Sequence, residues 1–514
     1  MRALAGAVSH GPAAPAVIVG ALGIVAAAAV SGHGAKYVAP LAVLAVVLAA
    51  WHRQLLQWQG LVGLIVVVVL FVPIGRYRLP GSLPFNLELY RVVVAIVVLI
   101  WLASLLIDTR VRLRATPFDR PMLLIVACIL ASEVANPGRV QEWGSYAVKS
   151  LTFFLSFVLV YYVIATAIRR REQITLLLRM LAGGGTAIAV ATLVEYRTKY
   201  DVFDHLHSVL PFLTFEGGYS AIVRGGDLRP FGPSEHPIAL GAALVMILPI
   251  GVYLARTSNR RWWPAAALIL LGALASGSRT AVTMLVAEVI VFLVLKPRET
   301  RRLWPALVPA IAVVHTLLPG TIGAFRESFF PKGGIIAEQT QLGANNNGQL
   351  AGGRIRVLKP MVSEASRHPL FGEGFGTRIT GFNTPQRNAP ILDDQWLNNL
   401  LDVGYIGFGL WIWLFVRTVR RLTRASRAAT TEADEWLFAG LAASITGFGI
   451  GMLTFDAFGF TQVFFLFWIM LGLSASLLCL ARESLLVADH QRRGSKTHRP
   501  RAREALWLEN FRAP

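Results

Sequence analysis

The sequence predicts an all-α protein, a polytopic transmembrane helical bundle, on three observations. Of its 514 residues, 55% are hydrophobic and only 15% are charged. The mean hydropathy is +0.56, too apolar for a chain of this length with an aqueous surface to cover, so a bilayer must surround most of it. Long apolar runs also recur along the chain, and arginine-rich segments separate many of them.

Membrane-spanning helices account for the apolar runs. A helix that crosses the hydrocarbon core needs about 20 mostly apolar residues, and shorter runs qualify when flanking residues reach the interface. This criterion predicts about fourteen spans (12–14), near residues 13–31, 37–51, 60–75, 90–107, 121–135, 149–168, 173–194, 237–255, 262–277, 280–295, 303–319, 396–416, 436–455 and 460–480.

The basic clusters set the predicted orientation, because lysine and arginine concentrate in cytoplasmic loops. With both termini inside, the strongly basic short loops all fall on the cytoplasmic side; they lie at residues 110–120, 169–171, 256–261, 296–302 and 417–427. Residues 1–480 are then the bundle with its loops, and residues 481–514 are a basic cytoplasmic tail. The same clusters explain the net charge of +20, so no nucleic-acid partner is predicted.

Two longer segments, 196–236 and 320–392, fall on the extracytoplasmic side. Loops of this length without an apolar run are commonly functional. A helix is predicted over 354–365, where apolar residues recur at helical spacing; they are Ile355, Leu358, Val362 and Ala365. Pro360 lies within this pattern and could kink or split the helix. The longer loop is therefore expected to be partly helical.

Arginines on the extracytoplasmic side run against the charge bias and need another explanation. Arg229 opens an Arg-Pro-Phe-Gly sequence, and Ser234, Glu235 and Pro237 after it have the pattern of a helix start. Arg229 and the neighbouring His236 would then lie near a helix N-terminus, where backbone amides and the helix dipole favour anions. An arginine that reaches lipid headgroups is the alternative.

Arg279 is the second such arginine, in a tight turn between two apolar spans. A charge at or just below the membrane surface costs several kcal/mol unless it meets a partner or a polar cavity. Arg279 is therefore a candidate ligand-binding residue, with contact to a phospholipid headgroup as the alternative.

The long loop carries further candidates. Arg354 and Arg356 flank the start of the predicted helix, and His368 precedes a glycine-rich run that extends to Gly376. Closely spaced glycines allow the backbone to approach a ligand, although ordinary turns explain them equally well.

Two adjacent carboxylates, Asp393 and Asp394, stand at the extracytoplasmic mouth of the next span. Neighbouring helical residues point about 100° apart, so the pair is a poor joint metal clamp, but one carboxylate is left free to act as a base. Capping of the following helix is the structural alternative, and we expect it to hold for one of the two.

The order of these segments resembles the O-antigen ligase and polymerase superfamily of bacterial membrane glycosyltransferases. The resemblance covers roughly residues 220–410 and rests on Arg229-Pro230-Phe231-Gly232, His236-Pro237, Ser278-Arg279, Gly353-Arg354-Ile355, His368-Pro369-Leu370-Phe371-Gly372, Gly374-Phe375-Gly376 and Gly404-Tyr405-Ile406-Gly407.

The resemblance implies an enzyme of surface polysaccharide assembly that needs neither cofactor nor metal. Its donor would be a glycan on polyprenyl (undecaprenyl) diphosphate, held by arginines corresponding to Arg229 and Arg279. Ligases of this family usually carry a His-Asn pair where this chain has Asp393-Asp394, so a histidine base cannot be carried over. A carboxylate could take the acceptor proton instead, Asp393 first and Asp394 second, with His236 and His368 as alternatives.

The sequence leaves the acceptor open. A second lipid-linked repeat unit would make the protein a polymerase, whereas a lipid core, a protein or a wall polymer would make it a ligase. The rival class is a carrier, either a flippase for lipid-linked oligosaccharides or another membrane transporter. Carriers place binding groups near the midplane on broken spans, and the sequence shows no inverted pair of such spans.

Overall fold

The computed structural model describes residues 57–80, 87–108, 111–218, 222–224, 227–330, 354–379 and 388–494. The spans predicted at 13–31 and 37–51 lie outside these residues, as does most of the predicted tail at 481–514. Those expectations, including a cytoplasmic location of both termini, stay predictions.

The described chain is predominantly helical, as the sequence predicts. Its helices are α1 (Trp58–Phe71), α2 (Leu89–Ile107), α3 (Asp119–Ala135), α4 (Pro137–Ala167), α5 (Arg171–Thr198), α6 (Pro237–Thr257), α7 (Trp262–Ala275), α8 (Arg279–Leu295), α9 (Pro297–Arg301), α10 (Leu307–Leu317), α11 (Thr321–Phe329), α12 (Arg354–Ala365), α13 (Gln395–Ala428), α14 (Glu432–Gly451) and α15 (Thr461–Gly494). Short 3-10 helices lie at Val202–Ser208 and Trp304–Ala306.

Short strands supplement the helices. β1 (Tyr77–Arg78) pairs antiparallel with β2 (Thr214–Phe215), and β3 (Val223–Arg224) pairs with β4 (Asp227–Leu228). These two-residue ladders tie together the loops at one end of the bundle and leave the helical fold class unchanged.

Six helices of the described chain are long and apolar enough to cross a membrane: α2, α4, α5, α6, α13 and the first 24 residues of α15. Helices α1 and α7 are apolar but shorter. The protein is therefore a helical membrane protein.

The count of about fourteen spans stays a prediction. Each predicted span that falls within the described residues overlaps a helix, but α10 has only 11 residues. At 1.5 Å per residue its length is about 16 Å, roughly half of a hydrocarbon core about 30 Å thick. No single spanning helix in the described chain thus matches the span predicted at 303–319.

Helices α6 and α15 form the centre of the bundle. In an apolar 18-residue stretch of each helix, 89% of the residues of α6 and 94% of those of α15 are buried inside the protein. Helix α6 packs against α7 and α14, whereas α15 packs against α4. A helix that is apolar on all sides can face lipid or lie among other helices, and the burial of these two places them among other helices.

The predicted helix over 354–365 is confirmed as α12, and it continues through Pro360. The predicted apolar face is wrong in part. The buried residues are Val357, Met361 and Ala365, which pack against α13, whereas Leu358 and Val362 are 48% and 38% exposed. Helical spacing alone could not decide which apolar residues are buried, because both sets fit the helical period. Packing against α13 determines which set is buried.

The loops with the predicted functional residues gather at one end of the bundle, which we call the site end. Helices α5, α7 and α14 end there, and α6, α8, α13 and α15 begin there. Hydrogen bonds join these helix ends: the Gln395 backbone amide donates to the Met452 carbonyl at 2.7 Å, and Gln462 Nε2 in α15 donates to the Val69 carbonyl near the end of α1 at 3.0 Å.

Candidate functional site

The glycine-rich run after His368 docks on a break in α13. Gly404 interrupts this helix with φ 67° and ψ −171°. The break frees backbone groups that the run binds: the Tyr405 amide donates to the Pro369 carbonyl and the Glu373 amide to the Leu401 carbonyl, both at 2.8 Å. A Cβ at Gly404 would lie 2.5 Å from the Leu370 carbonyl oxygen. Two separate motifs of the sequence therefore form one backbone contact.

The Arg-Pro-Phe-Gly sequence is held by two charged residues. The Glu195 carboxylate accepts hydrogen bonds from the Phe231 and Gly232 amides, both at 2.8 Å. Arg76 donates to the Gly232 and Ser234 carbonyls, both at 2.9 Å. Arg229 is thereby positioned by contacts to the backbone that follows it.

Arg229 contacts the turn that carries Arg279. Its Nε donates to the Ser276 carbonyl at 2.9 Å. The next residue, Gly277, has φ 60°, and a Cβ there would lie 3.6 Å from Arg229 Nε. The Ser278 hydroxyl then caps α8 by accepting from the Ala281 amide, so that Arg279 is the first residue of the helix. The two predicted arginines therefore belong to one local structure.

A cavity of about 150 Å³ lies beside Arg229, and we call it the paired-charge cavity; it is lined by Arg76, Glu195, Lys199, Asp201, Asp204, Leu228, Arg229, Pro230 and Phe231. Arg76 is 1% exposed and forms ion pairs with Asp201 at 2.5 Å and Asp204 at 2.9 Å. Three cationic and three acidic side chains line this cavity, so its formal charge is balanced within the chain.

Sequence reasoning missed Arg76, although a signal was present. In the predicted topology Arg76 lies on the extracytoplasmic side, so it breaks the charge bias as Arg229 does. Its role depends on two aspartates more than 120 residues later, and spacing along the chain gives no hint of that contact.

His236, and not Ser234, caps α6. Its Nδ1 accepts a hydrogen bond from the Ile238 amide at 3.0 Å, and Pro237 is the first helical residue. Ser234 Oγ instead donates to Gln462 Oε1. Burial raises the pKa of the intervening Glu235 to about 8, against hydrogen bonds from Thr461 and Gln462. The predicted helix start is thus correct, but its capping residue was assigned wrongly.

The two adjacent aspartates have different surroundings. Asp394 Oδ1 accepts from the Leu397 amide at 3.1 Å and caps α13, so the capping alternative holds for Asp394. Asp393 lies close enough to Asp456 to influence its ionisation. Of the pair, Asp393 is therefore the carboxylate associated with other acidic groups.

The loop 452–460 connects these parts of the site end. Thr454 Oγ1 donates to Thr280 Oγ1 at 2.9 Å, next to Arg279. On its other side, the Phe458 amide donates to Gln395 Oε1 at 2.8 Å, at the start of α13. This loop therefore lies between the arginine turn and the aspartate pair.

A second cavity, of about 180 Å³, lies between α4, α13 and this loop, and we call it the aromatic cavity. Its polar lining comes from Ser150, Arg378, Gln395, Asn398, Asn399, Asp402 and Asp456. Its apolar lining is predominantly aromatic and consists of Phe153, Phe154, Phe157, Phe375, Phe458, Phe464 and the backbone at Gly376.

Arg378 is the cation of the aromatic cavity, and its side chain is 4% exposed. Its Nη1 donates to Asn398 Oδ1 at 3.2 Å and lies 3.6 Å from Asp402 Oδ1. Burial above all, and then the carboxylates of Asp402 and Asp393, raise the pKa of Asp456 to about 7. The sequence analysis missed this group, because its members come from three segments that look like loop and helix residues.

The remaining candidates lie apart from both cavities or cannot be placed. The His368 side chain is exposed and lines neither cavity of the described chain. Arg354 and Arg356 belong to the first turn of α12, and their side chains lie outside what the structure describes. Among the described residues, no cluster of three or more His, Cys, Asp or Glu is placed to hold a metal ion.

The fold and the site end define a helical membrane protein with polar cavities at one end of its bundle. Residues 264–412 match a family model described as O-antigen ligase. This match confirms the resemblance to the O-antigen ligase and polymerase superfamily and includes Arg279, Asp393 and the glycine-rich run. Arg229 and His236 precede the matched region. No curated protein matches the chain.

Proposed function

We propose that the protein transfers a glycan from a polyprenyl diphosphate carrier to an acceptor hydroxyl on the outer side of the bacterial cytoplasmic membrane. The family match supports a role in polysaccharide assembly by glycosyl transfer. The observation that carries the finer proposal is the contact of Arg229 with the turn of Arg279. It brings these two arginine residues into one local structure at one end of an apolar bundle, where we expect a lipid-anchored diphosphate to arrive.

In the proposed reaction the acceptor oxygen attacks C1 of the donor sugar, and the bond from C1 to the diphosphate oxygen breaks. The bonding electron pair passes to the diphosphate. Guanidinium groups suit this leaving group, because they stay charged and form paired hydrogen bonds to phosphate oxygens. Attack from the side opposite the diphosphate inverts the configuration at C1.

Asp393 is the proposed base for the acceptor proton. Asp394 is a weaker candidate for the base than the sequence suggested, because its Oδ1 caps α13. His236 uses Nδ1 to cap α6, and His368 is exposed outside both cavities. The proposed reaction uses no metal, because arginines take the role of charge neutralisation.

The carrier alternative gains one observation, the broken helix α13. Broken membrane helices often expose backbone groups for a transported ligand. Here the groups around Gly404 bind the backbone of residues 369–373 instead, so the break is filled by the chain itself. That difference favours the transferase.

The test uses purified protein, a defined polyprenyl-diphosphate glycan and candidate acceptors, with mass analysis of the product. We expect Arg279→Ala to lower turnover on the order of 10²–10³-fold, as for the loss of a donor that stabilises transition-state charge. Arg302→Ala is the matched control, because Arg302 is exposed at the opposite end of the bundle. Equal rates of glycosidic bond formation in the two variants would contradict the proposed transferase site. Transport of the donor across vesicle membranes without bond formation would favour the carrier.

A further inference from the structure

The polar side of the aromatic cavity contains an unmatched hydrogen-bond donor. Asn399 is 4% exposed, and its Oδ1 accepts from Gln395 Nε2 at 2.8 Å. Its Nδ2 has no hydrogen-bond partner in the described chain, although the residue lines the cavity. A buried donor without a partner is costly and uncommon in folded proteins, so this amide is a group that a ligand would complete.

The charges of the aromatic cavity argue against a phosphate ligand. Two carboxylates, Asp402 and Asp456, line it together with a single cation, Arg378. Asp393 adds further negative potential near Asp456. An anion would find no surplus positive charge here, whereas a neutral ligand with several hydroxyl groups can donate to the carboxyl oxygens and accept from Arg378 and Asn399.

The apolar lining of the cavity is aromatic. Phe458 and Phe464 stack with ring centroids 4.1 Å apart, and Phe154 packs edge-on against Phe375 at 5.8 Å. A pyranose ring has the matching amphipathic form, because its C–H faces are apolar and its hydroxyl rim is polar. The aromatic side chains of the lining suit the faces, and its polar side chains suit the rim.

We infer that the aromatic cavity is a binding subsite for one sugar ring of a glycan, an inference that rests on the proposed glycosyl transfer. Its volume of about 180 Å³ is below the roughly 300–1,000 Å³ of pockets for larger organic ligands, so it holds a single ring. The loop 452–460 places it beside the Arg279 turn through the contact of Thr454 with Thr280. The ring belongs to either the donor or the acceptor glycan.

The experiment is a thiol-protection measurement on the full chain in nanodiscs. Cys128 and Cys479, both buried, are replaced by alanine, and Ser150→Cys places a thiol in the cavity lining. A small methanethiosulfonate reagent is applied alone, with lipid-linked donor glycan, and with acceptor glycan. The matched control is Ser366→Cys, at an exposed position beyond the end of α12.

We expect one of the two glycans to slow modification of the Ser150→Cys thiol at least about fivefold and to leave the Ser366→Cys thiol unchanged. Protection by the donor identifies a donor subsite, and protection by the acceptor identifies an acceptor subsite. Direct binding of both glycans is measured in parallel on the same protein. If the glycans bind and turnover proceeds while the cavity thiol stays unprotected, the subsite is overturned but the transferase stands. If a glycan protects the thiol and no bond forms, the subsite stands and the transferase fails. If neither glycan binds, both the subsite and the transferase are overturned.

Discussion

The two cavities at the site end differ in the balance of the charged side chains that line them. In the paired-charge cavity, Arg76 binds two aspartates and Glu195 binds two backbone amides. In the aromatic cavity the Asn399 donor lacks a partner within the described chain, and carboxylates outnumber the cation. Because an unmatched buried group costs about 1–3 kcal/mol, the ion pairs of Arg76 stabilise the fold, whereas the Asn399 donor is available to a ligand.

The largest expected effect tests the structural role of the paired-charge cavity. Arg76→Ala leaves Asp201 and Asp204 without their buried cation, and loss of one partner from a buried ion pair costs about 3–5 kcal/mol. The control is Arg78→Ala, two residues away, because Arg78 is 45% exposed in its ion pair with Glu216. An exposed pair contributes about 0–1 kcal/mol. Thermal unfolding in detergent measures both, and equal shifts for the two variants would contradict the comparison.

The next effect concerns the backbone contact that frames the aromatic cavity. Gly404→Ala places a Cβ 2.5 Å from the Leu370 carbonyl oxygen at a positive φ. Strain and overpacking together are expected to destabilise the protein by about 3 kcal/mol. Gly409→Ala lies in the same helix with nothing within 4 Å of the added Cβ, so we expect a gain of about 0.5–1 kcal/mol. Unchanged stability of Gly404→Ala would mean that the docked run does not depend on Gly404.

The contrast between Arg76 and Gly404 shows what the sequence could predict. Hydropathy identified the helical bundle, because the bilayer imposes a length and a composition on each span. The glycine-rich run was predicted only to approach a ligand or to form ordinary turns. Its true partner is backbone freed by a helix break some 30 residues later, and backbone contacts leave no side-chain pattern.

The site was predicted in the same uneven way. Arg229 and Arg279 were identifiable because arginines on the predicted extracytoplasmic side violate the charge bias, and Arg229 contacts the turn that precedes Arg279. Asn399 and Asp456 violate no such rule, since an amide near the start of a helix and an aspartate in a short loop are ordinary. Only packing brings them to one cavity with Arg378.

A smaller effect tests the unmatched donor. Asn399→Ala removes an amide that a bound sugar would complete, and we expect the apparent affinity for the glycan to fall about tenfold, equivalent to about 1.4 kcal/mol. Asn388→Ala is the control, because Asn388 Nδ2 and Oδ1 are both engaged by backbone groups at Thr377 and Ile379. We expect Asn388→Ala to lower thermal stability without a change in KM. Weaker glycan binding in Asn388→Ala, with only lower thermal stability in Asn399→Ala, would contradict a ligand role for Asn399.

The smallest expected effect is a pH dependence of stability that arises in the aromatic cavity. Asp456 has a pKa of about 7 in the folded chain, against about 3.9 in an unfolded one. Between these pH values the folded state keeps a proton that the unfolded state has lost, so stability falls as pH rises through this window. In Asp456→Asn the side chain at this position is neutral at every pH, so the variant should have the same melting temperature as the wild type near pH 4.

At pH 8 the same variant should melt about 2 °C above the wild type, because the wild type then carries a charged, partly buried Asp456 side chain. Screening by solvent limits the resulting loss of stability to about 1 kcal/mol. Burial, above all, also raises the pKa of the nearby Glu373 to about 7, so some pH dependence remains in Asp456→Asn. The difference between variant and wild type cancels that contribution and isolates Asp456. Glu432→Gln, at an exposed position on the opposite end, gives the baseline. A difference that stays constant from pH 4 to pH 8 would mean that Asp456 is solvated, and the aromatic cavity would then be no more enclosed than the surface.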